Sequence, residues 1–414
     1  MAHTDSLSPA QAPAALSQRD QRGNIARLTL AQALAGANSV VVYATGAIIG
    51  HALAPAKTLA TLPILAFVVG MAASILPAGA IARRYGRRVA FLGGAACGVL
   101  VGLLAAVAVV QSSFWLFCAA MVFGGAYAAV VLSFRFAAAD GVAPPMRARA
   151  LSFVMGGGVA AGVIGPQLVT HTMQLWPLHL FAATYLAQAG AAVLSAFVLA
   201  GVRLPLPSRE FAASGRPLRE IARQPAFITA AICGAVSYML MNFLMTAAPL
   251  AMHLCGHSQE DSNLGLQWHV IAMYLPSFFT GRLIGRYGAR RVVACGLALT
   301  AVSAAVGLTG IEVSRFWLTL TLLGVGWNFG FVGASALVLD CHRPEEKTSV
   351  QSLNDFLVFS TMAVGSFASG GLLSAYGWNT VLWISFLPVA IAGAALLWSA
   401  RSAGARGPER VQHK

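Results

Sequence analysis

The sequence predicts an all-α membrane protein: about twelve transmembrane helices arranged as two pseudo-symmetric six-helix bundles. Three observations carry that prediction. Apolar runs long enough to cross a bilayer recur along the chain. Basic residues gather on alternate connections. The two halves of the chain repeat one another.

The runs come first. Of 414 residues, 58% are hydrophobic and only 10% are charged, against roughly 25% charged in a soluble domain. A hydrocarbon core of ~30 Å needs about 20 helical residues to cross it, and a helix satisfies its own backbone in lipid. Runs of that kind lie near 28–53, 59–82, 89–111, 113–138, 149–171, 178–202, 226–253, 263–285, 292–313, 315–341, 350–374 and 377–400.

A net charge of +14 would suit nucleic acid, but its distribution excludes that partner. With the N-terminal tail in the cytoplasm and the runs alternating in direction, 25 of the 27 Lys and Arg residues fall on the cytoplasmic side; Lys57 and Arg315 are the exceptions. Such asymmetry follows from the difficulty of translocating basic loops. It predicts an even number of passes, both termini inside and a multi-pass protein of an inner membrane. Arg outnumbers Lys 24 to 3, which suggests a GC-rich bacterium. Residues 1–27 lack an apolar core, so they are no cleavable signal. Six cysteines stand singly, without zinc spacing or a disulfide framework.

The division follows from charge and repetition. Residues 203–224 carry seven charges and three prolines, and 203–225 reads as a cytoplasmic linker. It separates a bundle over 28–202 from one over 226–400, with tails at 1–27 and 401–414. Gly79-Ala-Ile-Ala-Arg-Arg-Tyr-Gly86-Arg-Arg88 after the second run returns as Gly281-Arg-Leu-Ile-Gly-Arg-Tyr-Gly288-Ala-Arg-Arg291 after the eighth. Gly124, Tyr127 and Asp140 match Gly324, Trp327 and Asp340 at an offset of 200 residues. Repeated halves are the mark of carriers that rock one bundle against the other.

These two loops resemble the G-x-x-x-D-R/K-x-G-R-R/K loop of the major facilitator superfamily. The resemblance implies that fold, alternating access, and a gating role for Gly79, Arg83, Gly86, Arg87, Gly281, Arg286 and Gly288. It departs where Arg83 and Gly285 replace the usual Asp. Gly94, Gly98 and Gly102 form a small-residue stripe of the kind that lets helices pack closely.

No carboxylate lies in the middle of helices 1, 4, 7 or 10. Asp355, beside Asn354, is the best carboxylate for proton coupling. Asn38 and Asn242 occupy similar places in helices 1 and 7, as interhelical hydrogen-bonding groups or as lining of a cavity. Sulfur and imidazole stand out instead. Met241 and Met245 lie one turn apart on helix 7, and His269 and Met273 one turn apart on helix 8. At ~1.5 Å per residue both pairs fall near mid-depth, where carriers of this type hold substrate. Thioether and imidazole suit Cu(I), whereas Mg²⁺ or Ca²⁺ needs oxygen ligands. Met252, His253, Cys255 and His257 line a possible outer mouth, and Cys233 a possible inner receiver. The Met-x-x-x-Met and His-x-x-x-Met pattern resembles the CcoA-like copper importers of the superfamily. That resemblance implies copper as the transported substrate, supply to cytochrome oxidase assembly and a cytoplasmic copper chaperone as partner. No permanently bound cofactor is expected, and a monomer is.

Two other functions compete with copper import. Tyr43, Tyr127, Trp268, Tyr274 and Trp327 offer rings for a flat organic solute such as riboflavin. A copper sensor that signals through the linker is the third reading. No nucleophile–base pair or phosphate loop points to an enzyme.

Overall fold

The computed structural model describes residues 17–134, 137–138, 142, 147–204, 216–343 and 346–405, less the side chains at 83, 147–149, 151–152, 347–349, 351–352 and 401–405. All regular structure among them is helical. The first bundle comprises α1 (Gln18–Leu53), α2 (Leu62–Tyr85), α3 (Arg87–Val110), α4 (Phe114–Val131), α5 (Arg147–Thr172) and α6 (Ala182–Ala200). The second opens with α7 (Pro225–Leu254). Its next pass is broken into α8a (Gln259–Tyr274) and α8b (Ser277–Tyr287). After α9 (Ala289–Gly307), α10 runs from Val313–Trp327 through the π-helical Asn328–Val332 to Gly333–Leu339. The last helix, Lys347–Ala405, bends at Gly377; the stretches before and after the bend are α11 and α12.

Ten described segments are long and apolar enough to span a bilayer, one of them holding both α11 and α12. Counting that segment as two and the broken α8 as one gives the twelve passes predicted. Each bundle packs in the same order. α1 lies on α5 as α7 lies on α11, α2 on α4 as α8a on α10, and α3 on α4 as α9 on α10.

The repeated loops share a backbone, not merely a sequence. Gly86 (φ 88°, ψ 157°) joins α2 to α3, and Gly288 (φ 82°, ψ 147°) joins α8b to α9. That region admits essentially only glycine. Beside each, an arginine lies over the next tyrosine ring at 5.3 Å, Arg84 on Tyr85 and Arg286 on Tyr287. The Gly94–Gly98–Gly102 stripe is packing, as read: added Cβ atoms would meet Val130, Tyr127 and Ala189 at 2.7, 2.5 and 2.7 Å.

Several boundaries differ from the expectation. Helix α1 begins at Gln18, well before the apolar run that opens at Leu28, so 18–27 is not part of a tail. Ser17 caps it by accepting the Asp20 N–H at 3.1 Å. Asn24 ties this polar turn to the end of α6: its amide donates to the Arg203 carbonyl at 2.5 Å and accepts the Arg203 N–H at 2.9 Å. Helix α4 stops at Val131, short of the predicted 138. The eighth pass is not continuous, because Pro276 has no N–H to extend the ladder beyond the Leu275 bond to Ile271.

The Asn24–Arg203 contact places the start of α1 and the end of α6 at one face, here the linker face. Among the described residues, most hydrogen bonds between the bundles gather toward the opposite face. The Asn263 amide donates to the Thr170 hydroxyl at 2.9 Å, and Gln167 donates to Gln267 at 3.0 Å. The Ser374 hydroxyl donates to the Lys57 carbonyl at 3.1 Å, and the Thr61 hydroxyl to the Ser366 carbonyl at 3.5 Å. Gly370 and Gly162 allow the backbones close: a Cβ would meet Thr61 Oγ1 at 2.0 Å and the Val270 side chain at 2.9 Å. Toward the linker face, a cavity of about 720 Å³ opens between α1 and α5, lined by Arg22, Thr29, Phe153 and Gly157 among others.

Candidate functional site

The interior of the second bundle is built around two interrupted helices. The π-helical turn follows Trp327, and the α8 break follows Tyr274. π-Turns mark functional segments often, and broken helices line the substrate sites of membrane carriers. Asn328 bridges the two interruptions. Its amide donates to the Met273 carbonyl and the Ser277 hydroxyl, both at 2.7 Å, and accepts the Thr280 hydroxyl at 2.6 Å. The polar groups freed by the break are thus satisfied inside the bundle, as a membrane interior demands.

An aromatic cage lies against these breaks. Trp327 and Phe331, one turn apart on α10, stack with ring centres 5.4 Å apart and planes 15° apart. Tyr238 of α7 stands edge-on to Trp327, Phe331 and Phe359 at 5.5, 4.9 and 5.6 Å. Tyr274 closes on Trp327 at 6.2 Å. Helices α7, α8a, α10 and α11 all contribute to this cage. Sequence reasoning named Trp327 and Tyr274 but missed Tyr238, Phe331 and Phe359. The signal available was Trp327–Phe331 spacing on one helix; the rest is tertiary.

Polar groups flank the cage. Asn242, one turn beyond Tyr238, is fully buried and accepts the Tyr43 hydroxyl of α1 at 2.5 Å. Its Nδ2, the Trp327 Nε1 and the Thr246 hydroxyl are buried without a partner. Asn38, the counterpart in the first bundle, accepts from Gln188 at 2.5 Å and donates to the Gly124 carbonyl at 3.2 Å. Both asparagines therefore make the interhelical bonds their positions suggested.

Two rings proposed for a flat solute are elsewhere. Tyr127 packs on α3, where a Cβ on Gly98 would touch its ring, and Trp268 is half-exposed. The repeat that pairs Tyr127 with Trp327 in sequence thus diverges in use.

Met241, Met245, Met252 and Met273 are buried in one central apolar cluster. His269 is buried, and its Nδ1 bonds the Leu320 carbonyl of α10 at 2.6 Å; its Nε2 has no partner. The imidazole is thus fixed to α10, and the sequence spacing alone had suggested a partnership with α7. Cys233 is not brought to the methionines. It sits in a separate cluster with Val293 and Ala392, its thiol facing the Ala392 carbonyl at 3.8 Å. His253 and Cys255 are exposed where α7 ends, and the His257 Nε2 engages the Ile311 carbonyl at 2.6 Å. Among the described residues no three of His, Cys, Asp and Glu gather as a metal-binding group, so a bound ion would depend on thioethers. Asp355 is partly buried near the linker face and accepts from Asn354 at 3.3 Å. The Arg83 side chain and Asp140 lie outside the described residues. A Cβ at Gly281 would meet open space.

The Major Facilitator Superfamily model matches residues 28–268 and 230–413. This chain belongs to the major facilitator superfamily. It is 44% identical over 387 residues to the riboflavin transporter RfnT of Brucella anthropi, covering 93% of this chain and 97% of that protein. It is 29% identical over 382 residues to the uncharacterized MFS-type transporter YddS of Bacillus subtilis, covering 86% of each. Among solved structures, a bacterial homologue of the human lysosomal transporter Spinster, in an inward-facing and unoccupied conformation, superposes with a TM-score of 0.70. That match covers 93% of this chain and 98% of the other at 15% identity, and shows the shared fold. The chain is thus a multi-pass secondary transporter of the superfamily. The relative at 44% identity is named for riboflavin, not copper.

Proposed function

We propose that this superfamily member carries riboflavin, or a closely similar flat heteroaromatic solute, into the bacterial cell by alternating access. One observation carries the reading: the 44% identity to a riboflavin transporter over 93% of the chain. The geometry agrees with it. Tyr238, Trp327, Phe331 and Phe359 offer faces and edges to a planar ring. Asn242 Nδ2 and Trp327 Nε1 offer unpartnered donors for ring carbonyl and imine acceptors. A neutral solute needs no countercharge, consistent with mid-helix positions that lack carboxylates.

Growth of a riboflavin-requiring bacterium tests the reading. Expression of the chain should permit growth at a riboflavin concentration too low for untransformed cells, and purified protein should accumulate riboflavin into liposomes. Absence of both would reject the proposal.

Copper is kept as a second reading because of His269. Its Nδ1 is fixed by a backbone carbonyl and its buried Nε2 is open, the arrangement common to histidine ligands. Replacing Met241 and Met245 by Leu keeps volume and removes sulfur. Lost copper accumulation at unchanged protein level would support this reading; unchanged accumulation would remove it.

A further inference from the structure

Asn242 faces two ways. On a helix that turns about 100° per residue, Tyr238, Asn242, Met245 and Pro249 share one face of α7. Asn242 therefore borders the aromatic cage through Tyr238 and, at the same time, accepts the Tyr43 hydroxyl from the opposite bundle at 2.5 Å. Both residues are buried. The other end of the amide, Nδ2, has no partner, and neither has Trp327 Nε1, whose ring lies 5.5 Å from Tyr238. Buried donors without acceptors are costly. Two of them beside one aromatic cage point to an occupant that supplies acceptors.

We propose that Asn242 couples ligand recognition to closure of the seam between the bundles. Its Nδ2 donates to a ring carbonyl or imine of the ligand, while its Oδ1 holds Tyr43. Trp327 Nε1 is the second donor. The ligand class is a planar heteroaromatic with acceptors along one edge, and the inference rests on the flavin reading above. Donation from Nδ2 polarises the amide and makes Oδ1 a stronger acceptor. A bound ligand thus tightens the Tyr43 bond, and Tyr43 by reciprocity tightens ligand binding. Tyr43 acts as a positioning residue through Asn242, without a place in the cage.

Binding to the purified full chain tests this, with riboflavin read by flavin fluorescence and anthracene, a flat tricycle without hydrogen-bond acceptors, as the comparison. Asn242→Leu should weaken riboflavin about tenfold and narrow the preference for riboflavin over anthracene. Tyr43→Phe, which loses one oxygen atom, should weaken riboflavin several-fold. The double variant should be no weaker than Asn242→Leu alone, because both changes remove one coupled unit. Equal losses for the two ligands, or additive losses in the double variant, would overturn the inference while leaving the flavin reading intact. A wild-type chain that binds no riboflavin would overturn both.

Discussion

The side chain of Asn328 donates to the backbone carbonyl of Met273 at 2.7 Å and so joins the π-turn of α10 to the break in α8. Replacing Asn328 by Leu strands the Met273 carbonyl in an apolar interior, while the Thr280 hydroxyl keeps the Pro276 carbonyl at 2.8 Å. A buried group without its partner costs about 1–3 kcal/mol. The Asn328→Leu protein should unfold at a clearly lower temperature in a detergent melt, and an unchanged melt would show the two helices to be held by packing.

The aromatic cage predicts a graded loss of ligand affinity. Trp327→Ala removes the indole ring offered to the ligand, an aromatic contact worth about 0.5–1.5 kcal/mol, and the Nε1 donor, worth about 0.5–1.5 kcal/mol more. The loss should total about 2 kcal/mol, roughly a 30-fold weaker riboflavin affinity. Trp327→Phe should recover part of it. Titration of flavin fluorescence measures both, and equal affinities for wild type and Trp327→Ala would place the ligand elsewhere.

The repeated loops predict a contrast between neighbouring glycines. Gly288 has φ 82°, and the open space around an added Cβ would not relieve that strain. Gly288→Ala should cost about 1–3 kcal/mol. Gly281 is helical, with room for a Cβ; Gly281→Ala should be neutral or stabilising by up to about 1 kcal/mol. Thermal melts of the two variants should move in opposite directions or differ plainly in size.

The linker predicts a pH effect. Arg216 lies against buried Glu346, with Nε and Nη2 each 2.9 Å from a carboxylate oxygen and its own N–H at 2.9 Å. These hydrogen bonds, with one from the Arg343 N–H, hold the Glu346 carboxyl well below its ordinary 4.5. A carboxylate with a depressed pKa contributes stability that is complete above the ordinary value and is lost as pH falls through the lowered one. Melting temperature should therefore fall on acidification below about pH 5. Glu346→Gln should lower it at neutral pH and flatten that part of the profile. An identical acid profile in the variant would assign the loss to other carboxylates.

Much of this protein was legible in its residues. Run length specifies the number of passes, because a bilayer imposes one length scale. The Arg-Tyr-Gly repeat is visible in the residues, and the structure gives both of its glycines the same backbone, which essentially only glycine takes. The Met and His spacing puts each pair one turn apart on its own helix, but spacing along one helix says nothing of which neighbour a side chain meets. Packing alone sent His269 to Leu320, Cys233 to Ala392 and Tyr127 to Gly98. It also gathered Tyr238, Trp327, Phe331 and Phe359 from three helices into one cage. The chain's own pattern determined what crosses the membrane and in which order. Only the tertiary structure decided which side chains face one another, because those contacts join residues distant in sequence whose approach depends on helix rotation and on the small residues between.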